Sequence, residues 1–190
     1  GSSSLTITDN TILGDAAKVK LVATILKTTV TQKNKTTKLM KQMKVTTGTT
    51  DAYGTRPGDE DISLGRADAF KLVGVFDSQD SSTDAVAPTL TLSTITGTFT
   101  RGEKITGATS GATGRIIGTS SPISYVATNS LSFTAETITG VSSGATATIT
   151  ATTDGDVVIT GKYLLDTGQR DNYYDIARIV RKRNQAAPIG

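Results

Sequence analysis

The sequence predicts an all-β protein, and three observations carry that expectation. Apolar residues make up only 36% of the 190 and aromatics 5%, with threonine and 19 glycines filling the gap; threonine favours extended backbone and glycine favours turns. Several stretches alternate apolar and polar residues with period two, as in Leu39, Lys41, Met43 and Val45. A segment of strand-turn-strand character also returns 33 residues later in the chain.

In chain order, Leu5 to Ile7 reads as a short edge strand, turned by Asp9-Asn10. Lys18 to Val30 and Leu39 to Thr47 read as the two arms of a long hairpin. Eight lysines lie on it, with no acid between Asp15 and Asp51. A polyanion-binding arm is one reading, a solvated hairpin that resists edge pairing a second, and docking on an acidic protein a third. The partner-contact candidates are Lys33, Lys35, Lys38 and Lys41; no stacking aromatics accompany them, so nucleic acid is not the expected partner. Thr47 to Asp61 reads as a solvated loop, because Asp59-Glu60-Asp61 lacks the alternating ligands of a calcium loop. Phe70, Leu72 and either Gly74 or Phe76 define a core-facing strand, followed by a polar loop from Asp77 to Pro88.

The repeat follows. From Glu103, each position to Ile116 recurs between Glu136 and Ile149, with Phe99 matching Phe133 after a one-residue deletion. Each copy reads as a hairpin with one Phe and two Ile on a face, and two copies can close as a small barrel or sandwich. Gly107, Gly111, Gly140 and Gly144 read as turn glycines, since no Lys-Ser/Thr follows them as in a phosphate loop. Glu103 and Glu136 hold equivalent positions, so duplication accounts for the pair without a glycosidase site.

Beyond the repeat, Tyr163-Leu164-Leu165 favours a strand and Asp166-Thr167-Gly168 a turn with glycine at positive φ. Ile176 to Val180 reads as a second strand, with a helix from Asp171 to Lys182 as the rival. The expected structural corner comprises Asp166, Arg170, Asp171, Tyr173, Tyr174 and Asp175. Arg170 should be held by one or more of the three aspartates, with Tyr173 or Tyr174 largely buried. A metal or acid/base site is the competing reading of the same carboxylates.

Composition excludes several functions. There is no cysteine and no histidine, which removes disulfides, thiolate metal sites and histidine-based triads. A net charge of +3 is mildly basic. No apolar run approaches the ~20 residues of a membrane span, and no signal-peptide pattern opens the chain. Gly1 to Ser4 reads as an expression remnant.

The thirteen-residue run from Tyr163 to Asp175 resembles one in virion structural proteins of contractile-tailed bacteriophages, especially those of marine cyanobacteria. Ile62-Ser63-Leu64-Gly65 through Asp68, leading to Phe70-Lys71-Leu72 and Val75, resembles a run that precedes the corner in those proteins. The Gly102 to Thr113 pattern is similar to one in phage tail and fibre proteins. Matches on both sides of the repeat imply a β-sandwich-like host domain, residues 5–77 plus 156–190, with a small β domain of two repeated hairpins inserted at 86–153. They also imply that the chain is a segment of a larger protein. The implied function is a structural module of the tail or baseplate region, localised to the particle and assembled in the host cytoplasm. Its implied partners are other virion proteins, further copies of itself included, with no membrane insertion. No enzyme activity, cofactor, metal or catalytic residue is expected. The alternative is a module binding host-surface glycan, for which the repeat region offers only Phe99, Tyr125 and Phe133 as aromatic platforms.

Overall fold

The computed structural model describes residues 42–48 and 50–189, with Leu26, Thr29, Thr31, Asn34 and Thr36 individually before them. The chain divides into two units, Gly1–Thr36 and Thr37–Gly190. The expected Leu5–Ile7 strand and most of the lysine hairpin lie outside the described residues, and 42–48 carry no strand. The second unit is all-β among the described residues, save for one 3-10 turn at Thr160–Lys162.

One sheet has three antiparallel strands: β1 (Asp61–Ala67), β10 (Tyr163–Asp166) and, between them, β11 (Ile176–Arg181). Ile62 faces Ile179, which faces Leu165 on its other side. This row, with Tyr163 and Ile159, forms a small core on which Val45, Leu64, Leu72 and Val75 pack. The strand reading of Ile176 to Val180 therefore holds over the helical one. Gly65 at φ 64° accompanies a register shift in β1, and Asp68 at φ 62° turns the chain out of it.

The expected strand from Phe70 to Phe76 is corrected. Residues 68–75 form no strand, Phe70 is 78% exposed, and only Phe76–Asp77 (β2) pairs, with Val157–Val158 (β9). Of the face that alternation marked, Leu72 packs on the core and Phe70 does not, while Val75, which lies off that period, does. Residues 68–75 add to neither outer edge of the sheet, at β1 or β10: the Val75 N–H donates to the Thr160 hydroxyl at 2.8 Å and its carbonyl accepts the Ile159 N–H at 2.8 Å. Beside β2 and β9, Val86 and Asp156 exchange two hydrogen bonds, of 2.7 and 2.9 Å. The chain thus leaves toward the next element and returns from it side by side.

That element is a closed six-stranded barrel, β3 (Thr89–Thr96), β4 (Lys104–Gly107), β5 (Thr113–Gly118), β6 (Ile123–Ala127), β7 (Thr137–Gly140) and β8 (Thr146–Thr153), ordered β3-β6-β5-β4-β7-β8. Closure leaves no edge strand. Its interior is packed rather than hollow: Leu90, Ile105, Ile116, Ile138 and Ile149 are fully buried among Phe99, Phe133 and small alanines. Tyr125 meets Phe133 edge-to-face at 5.2 Å.

The repeat imposes a pseudo-twofold on this barrel. Ile105 pairs with Gly140, Thr106 with Thr139 and Gly107 with Ile138, so each pairing maps onto itself or its mirror when the copies are exchanged. The Ala108 N–H to Thr137 bond (2.9 Å) and the Val141 N–H to Lys104 bond (2.8 Å) obey the same exchange. The symmetry also reaches a third strand that the sequence pattern had not marked: Leu90 and Leu92 of β3 correspond to Ile123 and Tyr125 of β6 at the same 33-residue offset. Within each copy the lead strand does not pair with its own hairpin. β3 lies on β8 and β6 on β5, so the copies interlock.

Candidate functional site

The corner is built by the β10–β11 connection. Asp166 ends β10, and its Oδ1 accepts the Gly168 N–H at 3.0 Å, closing an Asx-type turn. Gly168 stands at φ 79°, and a Cβ there would lie 2.3 Å from the Asp175 carbonyl oxygen. Glycine is required both by the dihedral and by the approach of the returning strand. Asp175 N–H donates to that glycine's carbonyl at 2.6 Å, Gln169 bridges Tyr174, and Arg170 N–H reaches the Tyr173 carbonyl at 3.0 Å.

On this frame Arg170 grips Asp166 bidentately, at 2.9 and 2.7 Å, and reaches Asp175 at 3.4 Å. Asp171 is exposed and makes no ion pair among the described residues. Arg178, which sequence reasoning left out, gives its Nε to Asp166 at 3.1 Å and reaches Asp61 at 3.4 Å. The resulting chain, Asp175–Arg170–Asp166–Arg178–Asp61, crosses all three strands with alternating sign. The Arg170 guanidinium, opposed by burial and helped by the Gly168 N–H and Arg178, holds the Asp166 carboxyl well below the usual range. In turn, Asp166 raises Arg170 above its ordinary value.

One expectation about the corner is corrected: neither Tyr173 nor Tyr174 is largely buried, at 38% and 61% exposed. The turn projects past the end of the β10–β11 pair, and the tyrosine that enters the core is Tyr163, at 4%. Lys33, Lys35, Lys38 and Lys41 lie outside the described residues.

Asp59 also departs from the solvated-loop reading. It is 7% exposed and accepts the Gly54 N–H at 2.7 Å and the Arg56 N–H at 3.2 Å, with the Arg56 guanidinium at 3.0 Å. Burial raises its carboxyl, but Arg56 and the two N–H groups outweigh that and hold it low. Among the described residues no group of three or more acids is placed to hold a metal ion.

In the barrel, the two glutamates are exchanged between the copies. Glu136 of the second copy accepts the Thr109 and Ser110 N–H groups of the first at 2.7 and 2.9 Å, and the Ser110 hydroxyl. Glu103 of the first copy accepts the Ser143 N–H at 3.1 Å and its hydroxyl at 2.9 Å. Each also holds its own entering turn, through the N–H of Thr134 and of Thr100 respectively. Both carboxylates are nearly buried, at 6% and 4% exposed. Burial pushes them up, but the hydrogen bonds win: Glu136 is held down at about 2, and Glu103 is lowered likewise.

The pattern Gly-x-x-Ser-Gly-Ala now has a residue-by-residue cause. A Cβ on Gly107 would lie 2.5 Å from Glu136 Oε1, and one on Gly140 at 2.5 Å from Glu103 Oε2. The serines clamp the carboxylates, Gly111 and Gly144 take φ of 67° and 68°, and Ala112 and Ala145 fill the core. The glycan platforms considered above are also placed. Phe99 and Phe133 are core residues, and Tyr125 is half-buried against them.

Comparison with family models, with curated proteins and with solved structures returned no match.

Proposed function

We propose that the chain is a structural module of a tailed-phage virion protein, from the tail or baseplate region, that mediates protein-protein contacts during assembly. The observation that carries this reading is the corner. The run resembling the phage proteins, Tyr163 to Asp175, is also the run that folds into an ion-paired hairpin and leaves Tyr173 and Tyr174 at its tip. Exposed tyrosines on a rigid turn suit a protein contact, because they offer large area at low entropic cost.

The acids that would attract an enzymatic reading are otherwise engaged. Glu103 and Glu136 are occupied by turn N–H groups and serine hydroxyls, and Asp166 by two guanidiniums. The reading is therefore of a non-enzymatic module without cofactor. Among the described residues no helix is long and apolar enough to cross a membrane. The proposed location is the particle, assembled in the host cytoplasm.

Mass spectrometry of purified particles from the source organism tests the proposal. Peptides covering the Tyr163–Lys182 region should appear at stoichiometric abundance in the particle. Their presence only in the lysate soluble fraction would reject it.

A further inference from the structure

The pseudo-twofold barrel contains its own control experiment, because each position of one copy can be compared with its twin in the other. Residues that the fold requires are the same in both: Glu103 and Glu136, Gly107 and Gly140, Ser110 and Ser143, Ile105 and Ile138. Three cations are not. Lys104 and Arg115 stand where the second copy has Thr137 and Thr148, and Arg101 lies in the turn that is one residue longer in the first copy.

Lys104 and Arg115 are direct cross-strand partners, as Thr137 and Thr148 are in the same register. Like charges directly opposite each other are destabilising, whereas a Thr–Thr pair is favourable. The fold would be better served by the second copy's choice. None of the three cations makes an ion pair among the described residues. The Arg115 guanidinium donates to the Gly102 carbonyl, so the longer turn fixes its direction. Glu103, the acid in the wall, is committed to Thr100 and Ser143.

We infer that Arg101, Lys104 and Arg115 form an anion-recognition cleft of about 460 Å³, facing the Val141–Ser142 turn, that docks a carboxylate-bearing segment of a partner protein. The cleft wall carries no aromatic ring, so it offers no stacking face for a base or a sugar. It does offer Val141, 65% exposed, for an apolar side chain beside the carboxylates. The cationic chemistry stands on the barrel alone; the choice of a protein as bearer of the carboxylates rests on the assembly reading. Particle mass spectrometry tests that reading and the titration below tests the cleft, so either can fail without the other.

The test compares the full chain with a variant given the second copy's residues, Arg101→Ala, Lys104→Thr and Arg115→Thr. Each is titrated against a fluorescein-labelled oligoglutamate peptide, with a sulfated oligosaccharide and a single-stranded oligonucleotide in parallel. The lysines of residues 18–44 are common to both proteins, so the difference isolates the cleft. The expected result is peptide affinity at least about tenfold weaker in the variant, with a melting temperature unchanged or higher. Equal affinity would overturn the proposal. So would a markedly lower melting temperature, which would return the cations to the fold, or a wild-type preference for the saccharide or oligonucleotide.

Discussion

At the scale of single residues, the molecule places its charges where backbone donors would otherwise go unpaired. Glu136 shows the consequence for acid stability. Its carboxyl is held from an ordinary 4.5 down to about 2, so the folded state binds the proton less readily than the unfolded chain. That contribution is fully present above about pH 4.5 and is lost as pH falls through about 2; it is on the order of 3 kcal/mol. Glu103, Asp59 and Asp166 are shifted in the same direction and add to it. A melting temperature followed from about pH 6 to pH 2 should therefore fall steeply below about 4.5, and a flat profile would contradict the assignment. Gly140 gives a second expectation. Gly140→Ala should cost about 1–3 kcal/mol, because the methyl displaces the Glu103 carboxylate from Ser143. Part of that cost should vanish when the substitution is made in a Glu103→Ala background, the remainder coming from the Ser143 hydroxyl, 2.6 Å from the same methyl position. Additive costs would show that the two residues do not share the contact.

At the scale of elements, the corner binds three strands through one alternating chain of charges. Arg170→Ala would leave Asp166 and Asp175 without their shared partner while Arg178 remains in place. The pairs are neither fully buried nor fully exposed, so the melting temperature should fall by a few degrees in differential scanning fluorimetry. An unchanged value would assign Arg170 to partner contact instead. This element was largely legible in the sequence, because its signals are local: Asp-Thr-Gly for the turn, and an arginine four residues from its carboxylate. Arg178 was missed because its partners, Asp61 and Asp166, come together only through the register of β11 with β1 and β10. The strand expected at Phe70–Phe76 failed for a related reason. Period-two alternation marked Phe70 and Leu72 alike, yet Phe70 is exposed and Val75, off that period, packs on the core. The cause is that the segment's backbone is held by Thr160 and Ile159, neighbours that local pattern cannot show. The tyrosines failed in the opposite sense, since a dense aromatic run looks like core until the turn is seen to carry it past the sheet's end.

At the scale of the whole molecule, the barrel owes its unity to exchange between its halves. The 33-residue repeat announced two similar hairpins, and their equivalence at Glu103 and Glu136 pointed away from catalysis. Neither observation disclosed that each glutamate serves the other copy, or that β3 and β6 cross over to the opposite hairpin. Long-range pairing of that kind leaves no trace in local pattern. Its consequence is that neither half can lose its brace without loosening the other. The measurement that tests this most directly is denaturant unfolding of Glu103→Gln and Glu136→Gln beside the parent chain. Both variants should lower the barrel transition, each by about 1–3 kcal/mol, while leaving it a single cooperative step. A variant with parental stability, or a barrel that unfolds in two steps, would contradict the interlocked architecture.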